Sequence, residues 1–206
     1  MTGGVATGVS RAALQAMLEP VLADAPPGTD LYLVGDTGHV WEGWLAATPV
    51  AVLAVDGSGP DREVVTRALG ERAVRGGVPL LFESPADVVP LPRGAAERHL
   101  PASGGATPAL RHFDPYSVAF RAIARGDEPD YHTVLRSLRH GWLDFGAMTL
   151  LLDDVLPRFT LATIAQDPAE FRRKVRGLTQ MWRAENGDAA RLFGTPDTGS
   201  ERAPAR

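Results

Sequence analysis

Six consecutive apolar residues, Val50-Ala51-Val52-Leu53-Ala54-Val55, constrain the fold more than any other segment of the chain. A strand sends alternate side chains to opposite faces, so a run with no polar residue needs cover on both. That reading places a buried strand in a layered α/β structure with helices on each side. Leu31-Tyr32-Leu33-Val34 and Leu80-Leu81-Phe82 read as further buried strands between turn residues, and 110–113 as a last one.

The remaining segments supply the layers. Ser10 is the expected N-cap of a helix over 11–23, with Leu14, Met17, Leu18, Val21 and Leu22 on one face and Pro20 imposing a kink or early end. Gly35-Asp36-Thr37-Gly38 reads as a tight turn before a short helix at 39–46, and Asp61 as the cap of a helix over 62–75. Residues 85–108, with five prolines, form a long irregular excursion. Beyond it Asp114-Pro115 opens a helix over 115–125 that Gly126 ends, and Pro129 opens another carrying Tyr131, Val134, Leu135 and Leu138. A third spans 144–156, and a fourth starts at Asp167-Pro168 with Phe171, Val175, Leu178 and Trp182 along a stripe. The expected architecture is α/β (α+β): an N-terminal mixed-sheet half with flanking helices over 10–113 and a C-terminal helical half over 114–186. Residues 1–9 and 187–206 are expected to be disordered.

The 206 residues carry a net charge of −4 and no cysteine. The charge makes nucleic acid an unexpected partner, and the missing thiols exclude thiolate catalysis and Cys-ligated metal. No apolar run has the length of a membrane span and no secretory leader is visible, so the expected location is cytoplasmic. Of 21 basic residues only Lys174 is lysine, a bias of the kind a GC-rich genome produces.

Several candidates have a plain reading beside a functional one. Asp36, Glu42 and Asp56 are a turn acid, an exposed helix residue and a turn cap, or a makeshift metal site. His39, His99, His112, His132 and His140 lack metal-ligand spacing. Arg172, Arg173, Lys174 and Arg176 read as a solvated helix face or a patch for an acidic partner. Arg121, Arg125, Arg136 and Arg139 fall in the helical half, where they could hold phosphate. Trp41, Trp44 and Trp142 are core or interface. Gly57-Ser58-Gly59-Pro60 lacks the Lys-Ser/Thr ending of a phosphate cradle, and no Gly-x-Ser-x-Gly elbow supports a hydrolase triad.

One order of motifs is more specific than any of these alone. It comprises Leu31-Tyr-Leu-Val-Gly-Asp-Thr-Gly, Glu42-Gly43-Trp44, Thr48 before an apolar strand, and Ser84-Pro85-Ala86-Asp87 with Pro90-Leu91-Pro92. His112-Phe113-Asp114-Pro115-Tyr116, Arg125-Gly126 with Asp130, and Pro168-Ala-Glu-Phe-Arg-Arg complete it. Over residues 30–178 the chain resembles small prokaryotic nucleotidyltransferase-like proteins of the polymerase-beta-like superfamily, related to those of toxin–antitoxin pairs. The resemblance implies a glycine-lined turn for a triphosphate, an Asp-x-Asp pair on the next strand for Mg²⁺, and a third carboxylate on a later strand.

At the corresponding positions this chain departs from that chemistry. Asp36 replaces the second glycine of the turn and is expected to turn its charge toward the triphosphate. Val50, Val52 and Leu81 stand where the metal carboxylates would, Ala122 where a lysine would, and Thr133 where a further acid would. Valine and leucine offer Mg²⁺ no oxygen. The expected protein is therefore non-catalytic, a binding or regulatory pseudoenzyme without a metal cofactor. Its candidate residual nucleotide site is Gly35, Asp36, Thr48, Arg121, Arg125 and Asp130, and its partner a protein or a second copy of the chain. The competing expectation is an active Mg-dependent enzyme with a relocated acid, for which Glu83, two residues after Leu81 and so on the same strand face, is the candidate.

Overall fold

A computed structural model of the chain describes residues 8–104, 110–159 and 167–192, the last seven of them by backbone alone. The element order is β1 (Val9–Ser10), α1 (Arg11–Ala23), β2 (Asp30–Leu33), α2 (Asp36–Trp41), β3 (Ala47–Thr48), β4 (Ala51–Asp56), α3 (Gly59–Gly76) and β5 (Leu80–Phe82). Then come β6 (Leu100–Pro101), β7 (Leu110–His112), α4 (Pro115–Arg125), α5 (Glu128–Arg139), α6 (Phe145–Val155) and α7 (Pro168–Leu192). The fold is mixed α/β, of the expected α+β kind.

The main sheet runs β5-β4-β2-β7-β6. Central strand β2 is antiparallel to β4 and parallel to β7, while β4 and β5 are parallel. The apolar run of β4 is covered on both faces. Ala51 and Leu53 join a core with Leu14 and Leu18 of α1 and Val65 and Leu69 of α3. Val52 and Ala54 pack on the other face with Tyr32, Val34, Phe113 and Val118 of α4. A further core, built from Phe120, Ile123, Leu135, Met148, Phe171 and Leu178, holds the C-terminal helices together. Gly126, in the left-handed region at φ 75°, ends α4 where Arg125 could not turn the chain so cheaply.

Local corrections have local causes. Pro20 does not stop α1, which continues to Ala23. The carbonyl that loses its donor belongs to Ala16 on the exposed side, while Val21 beyond it is buried. Ser58, rather than Asp61, caps α3 by accepting from the Asp61 backbone N–H. Residues 36–38 are not a turn: they are the first turn of α2, which ends at Trp41 instead of running over 39–46. Val9 is paired with Thr48 in a small sheet where a frayed terminus was expected, and α7 continues to Leu192 past the expected end near 187. The expected disorder of 1–7 and 193–206 concerns residues outside those described. Within 85–108, two short 3-10 turns and β6 interrupt the irregular path.

Candidate functional site

At the end of β2 the chain must turn sharply into α2, and Gly35 does so at φ 60°, ψ −130°, which a side chain would resist. Thr37, one residue into the helix, accepts from the Val52 N–H at 2.7 Å and ties α2 to β4. Thr48 donates to the Val50 carbonyl at 3.2 Å, fixing the corner that leads into β4. With α4 and α5 laid across, these pieces enclose a cavity of about 190 Å³.

This cavity gathers every residue of the candidate nucleotide site: Gly35, Asp36, Thr48, Arg121, Arg125 and Asp130 line it. Val50, Val52, Ala122 and Thr133 line it too, so with Asp36 five of the six positions that depart from the resembled chemistry meet there. The sixth, Leu81, stands directly opposite Val52 in the parallel β4–β5 register, but on the outer strand, where it is 42% exposed and off the cavity wall.

The acids are all engaged. Asp36 does not present a bare charge to the cavity: Oδ1 accepts from Thr133 Oγ1 at 3.0 Å and Arg136 Nη1 at 2.8 Å, and lies 3.0 Å from His39 Nδ1. Burial pushes its carboxyl up, but the His39 and Thr133 hydrogen bonds and the Arg136 charge hold it below the ordinary value. Glu83 accepts from Arg121 Nε, and that hydrogen bond depresses its carboxyl despite partial burial. Asp130 lies with Oδ2 3.3 Å from Arg125 Nε; burial raises its carboxyl against the pull of Arg125 and Arg121.

Behind Asp36 runs a buried polar chain that residue spacing did not show. His39 Nδ1 faces the carboxylate, and Nε2 lies 2.9 Å from Ser137 Oγ. A carboxylate only accepts, so the proton sits on Nδ1 and the Ser137 hydroxyl donates to Nε2. The order acid–imidazole–hydroxyl is that of a nucleophilic triad, but His39 and Ser137 are buried at 1% and 5% exposure and line neither cavity described here. The chain therefore ties α2 to α5. His39 and His112 lie among Trp44, Trp142 and His140, with Trp44 stacked on His140 at 3.9 Å.

The makeshift metal trio does not assemble. Asp36 lines the small cavity, Asp56 the edge of a larger one, and Glu42 neither. Glu42 is not an exposed helix residue: it accepts from His112 Nε2 at 2.7 Å and the Ser103 N–H at 3.0 Å. Among the described residues, no group of three or more His, Asp or Glu side chains is placed to hold a metal ion. Nor is Lys174 part of a solvated basic face, since its Nζ donates to the Ala124 carbonyl at the end of α4. Arg172, Arg173 and Arg176 are exposed. Trp41 is core, its Nε1 donating to the Ser103 carbonyl.

The larger cavity, about 610 Å³, lies on the same sheet face and is lined by Tyr32, Asp56, Arg62, Glu83, His99 and Phe113 among others. The Arg121–Glu83 pair spans the two, since Arg121 lines the small cavity and Glu83 the large one. No protein-family model matches the chain, and no curated protein or solved structure matches it significantly. No described helix is long and apolar enough to cross a membrane.

Proposed function

We propose that this chain is a nucleotidyltransferase-like protein that has given up metal-dependent transfer and works by binding, as a regulatory partner of another protein or of a second copy of itself. One observation carries the reading: Val50 and Val52 occupy the cavity wall beside Gly35 and Thr48, with Leu81 in register next to Val52. Those are the positions at which the resemblance calls for metal carboxylates, and their side chains have no oxygen to give. The acids that remain nearby are each paired with an arginine of the same chain. The donor set therefore does not fit Mg²⁺, which needs at least one or two free carboxylates. The cavity keeps Gly35, Asp36, Thr48, Arg121, Arg125 and Asp130 as a binding wall. The related role in toxin–antitoxin pairs belongs to this same proposal.

The test is a nucleotide-transfer assay on the purified chain, with each nucleoside triphosphate, Mg²⁺ or Mn²⁺, and protein and RNA acceptors. The expected result is no transfer; transfer to any acceptor would overturn the reading. Glu83 is the observation favouring the competing one, an Mg-dependent enzyme with a relocated acid, because it follows β5 directly and reaches an arginine of the cavity. Its ion pair with Arg121 speaks against a metal-binding role. A Glu83→Gln variant that lost a metal-dependent activity shown by the wild type would establish it.

A further inference from the structure

The larger cavity has no part in the reading above, yet its volume of about 610 Å³ falls among those of small-molecule sites, roughly 300–1,000 Å³. One part of its wall is aromatic. The rings of Tyr32, His99 and Phe113 touch one another, their centroids 4.4 Å (Tyr32–His99), 5.4 Å (Tyr32–Phe113) and 4.7 Å (His99–Phe113) apart. Ala54 and Leu91 extend this apolar surface, and Phe82, also on the wall, is 36% exposed. Aromatic surface left open to water inside a concavity is what the flat body of a ligand covers.

The charged groups on the same wall are accessible. Asp56, Asp87 and Arg62 line the cavity and are exposed. Asp56 Oδ1 accepts from the Gly57 N–H and Asp87 Oδ2 from the Ser84 N–H, so each carboxylate keeps its second oxygen, and among the described residues neither has a cationic partner. Glu83 is neutralised by Arg121. His99 Nδ1 accepts from the Asp114 N–H at 2.9 Å, which puts the proton on Nε2 and leaves the ring uncharged. Thr66 and Ser84, the other polar residues of the wall, carry no charge. Two carboxylates against the one guanidinium of Arg62 leave a negative excess, which repels a phosphate and attracts a cation. We propose that the larger cavity binds a small aromatic amine, its ring against Tyr32 and Phe113 and its ammonium on the free oxygens of Asp56 and Asp87. This site is separate from the small cavity and does not depend on the metal-free reading.

Tyramine is a suitable probe, and 4-hydroxyphenylacetate its control, having the same ring and a chain of similar length with the opposite charge. Titration of the full chain, followed by calorimetry and by the ring resonances of Tyr32 and Phe113, is expected to show saturable tyramine binding that shifts both rings. The acid is expected to bind at least about tenfold more weakly, the ratio that one charge-assisted hydrogen bond supplies. The double variant Asp56→Asn, Asp87→Asn alters two exposed side chains and keeps an oxygen at each for the local backbone N–H. It is expected to bind tyramine at least about tenfold more weakly than the wild type and to lose the preference for amine over acid. The inference is overturned if millimolar tyramine does not bind, if it binds without shifting Tyr32 and Phe113, if the acid binds as tightly as the amine, or if the double variant keeps the full preference. The wild-type comparison needs no variant to fold.

Discussion

The Thr133 hydroxyl donates to Asp36 Oδ1 at 3.0 Å, joining the first turn of α2 to α5 across 97 residues of sequence. The resemblance places a glycine at 36 and an acid at 133, so two departures from it are partners in space. Two carboxylates there would repel, whereas threonine supplies a donor to Asp36. Arg136, one turn further along α5, completes the charge balance.

Removing that acid leaves three donors without their acceptor. Asp36→Ala is expected to destabilise the fold by about 2–4 kcal/mol, since it strands a largely buried arginine and a buried imidazole. Thr133→Val, which loses one neutral donor, is expected to cost about 1 kcal/mol. Urea unfolding of both variants and their double mutant measures the coupling, and strictly additive losses would contradict the contact.

Arg121 is held by Glu83 in a place with little water. Glu83→Gln is expected to cost about 2–3 kcal/mol by leaving the guanidinium buried opposite a neutral amide. Adding Arg121→Met to that variant is expected to recover part of the loss, because the uncompensated charge goes with it. Thermal unfolding of the single and double variants decides; a double variant weaker than the single one would refute the account.

Acid should unfold this protein in two stages. Burial depresses the His39, His99 and His112 imidazoles below their ordinary value of 6.5. Between that value and the lower folded ones, the unfolded chain binds more protons, so stability is full above about pH 6.5 and falls as the pH drops. Asp36, Glu42 and Glu83 are also depressed, and their contribution is lost on further acidification below about pH 4. The urea midpoint measured from pH 8 to pH 3 is expected to fall throughout, with a shallower first stage in His39→Asn. A midpoint flat between pH 7 and 5 would contradict this.

Two glycines should respond in opposite directions to the same change. A Cβ on Gly38 would lie 2.9 Å from Nδ1 of His112, a buried ring fixed by Glu42, so Gly38→Ala is expected to cost about 1–3 kcal/mol. Gly70, inside α3, has open space around it, and Gly70→Ala is expected to add about 0.5–1 kcal/mol. Chemical denaturation of the pair, side by side, is the check.

Local chemistry was legible in the residues and distant pairing was not. Ser10, Asp114 and Gly126 act as the caps their types foretell, because capping is settled within a few positions of chain. The covered apolar run of β4 follows from its composition alone. The strands β1, β3 and β6, of two residues each, carry no periodicity to read. The gathering of Gly35, Thr48, Val50, Val52, Arg121, Arg125 and Asp130 round one cavity was legible only through the order of motifs. What escaped was the internal use of the charges: Arg136 on Asp36, Ser137 on His39 and Arg121 on Glu83 connect residues 38 to 100 positions apart. Composition marks such groups as polar and leaves their partners unstated.

The parallel pairing of β2 with β7 sets Leu31 beside Leu110 and Leu33 beside His112. The central strand thus waits for a neighbour made some eighty residues later. On a ribosome, β2 can zip to β4 early, but its other edge stays bare until His112 has emerged. Closing that long loop costs entropy before any contact rewards it, so completion of the sheet is expected to be the slow event of folding. Any fragment cut before residue 110 would carry the lone edge permanently, ready to pair with the wrong chain.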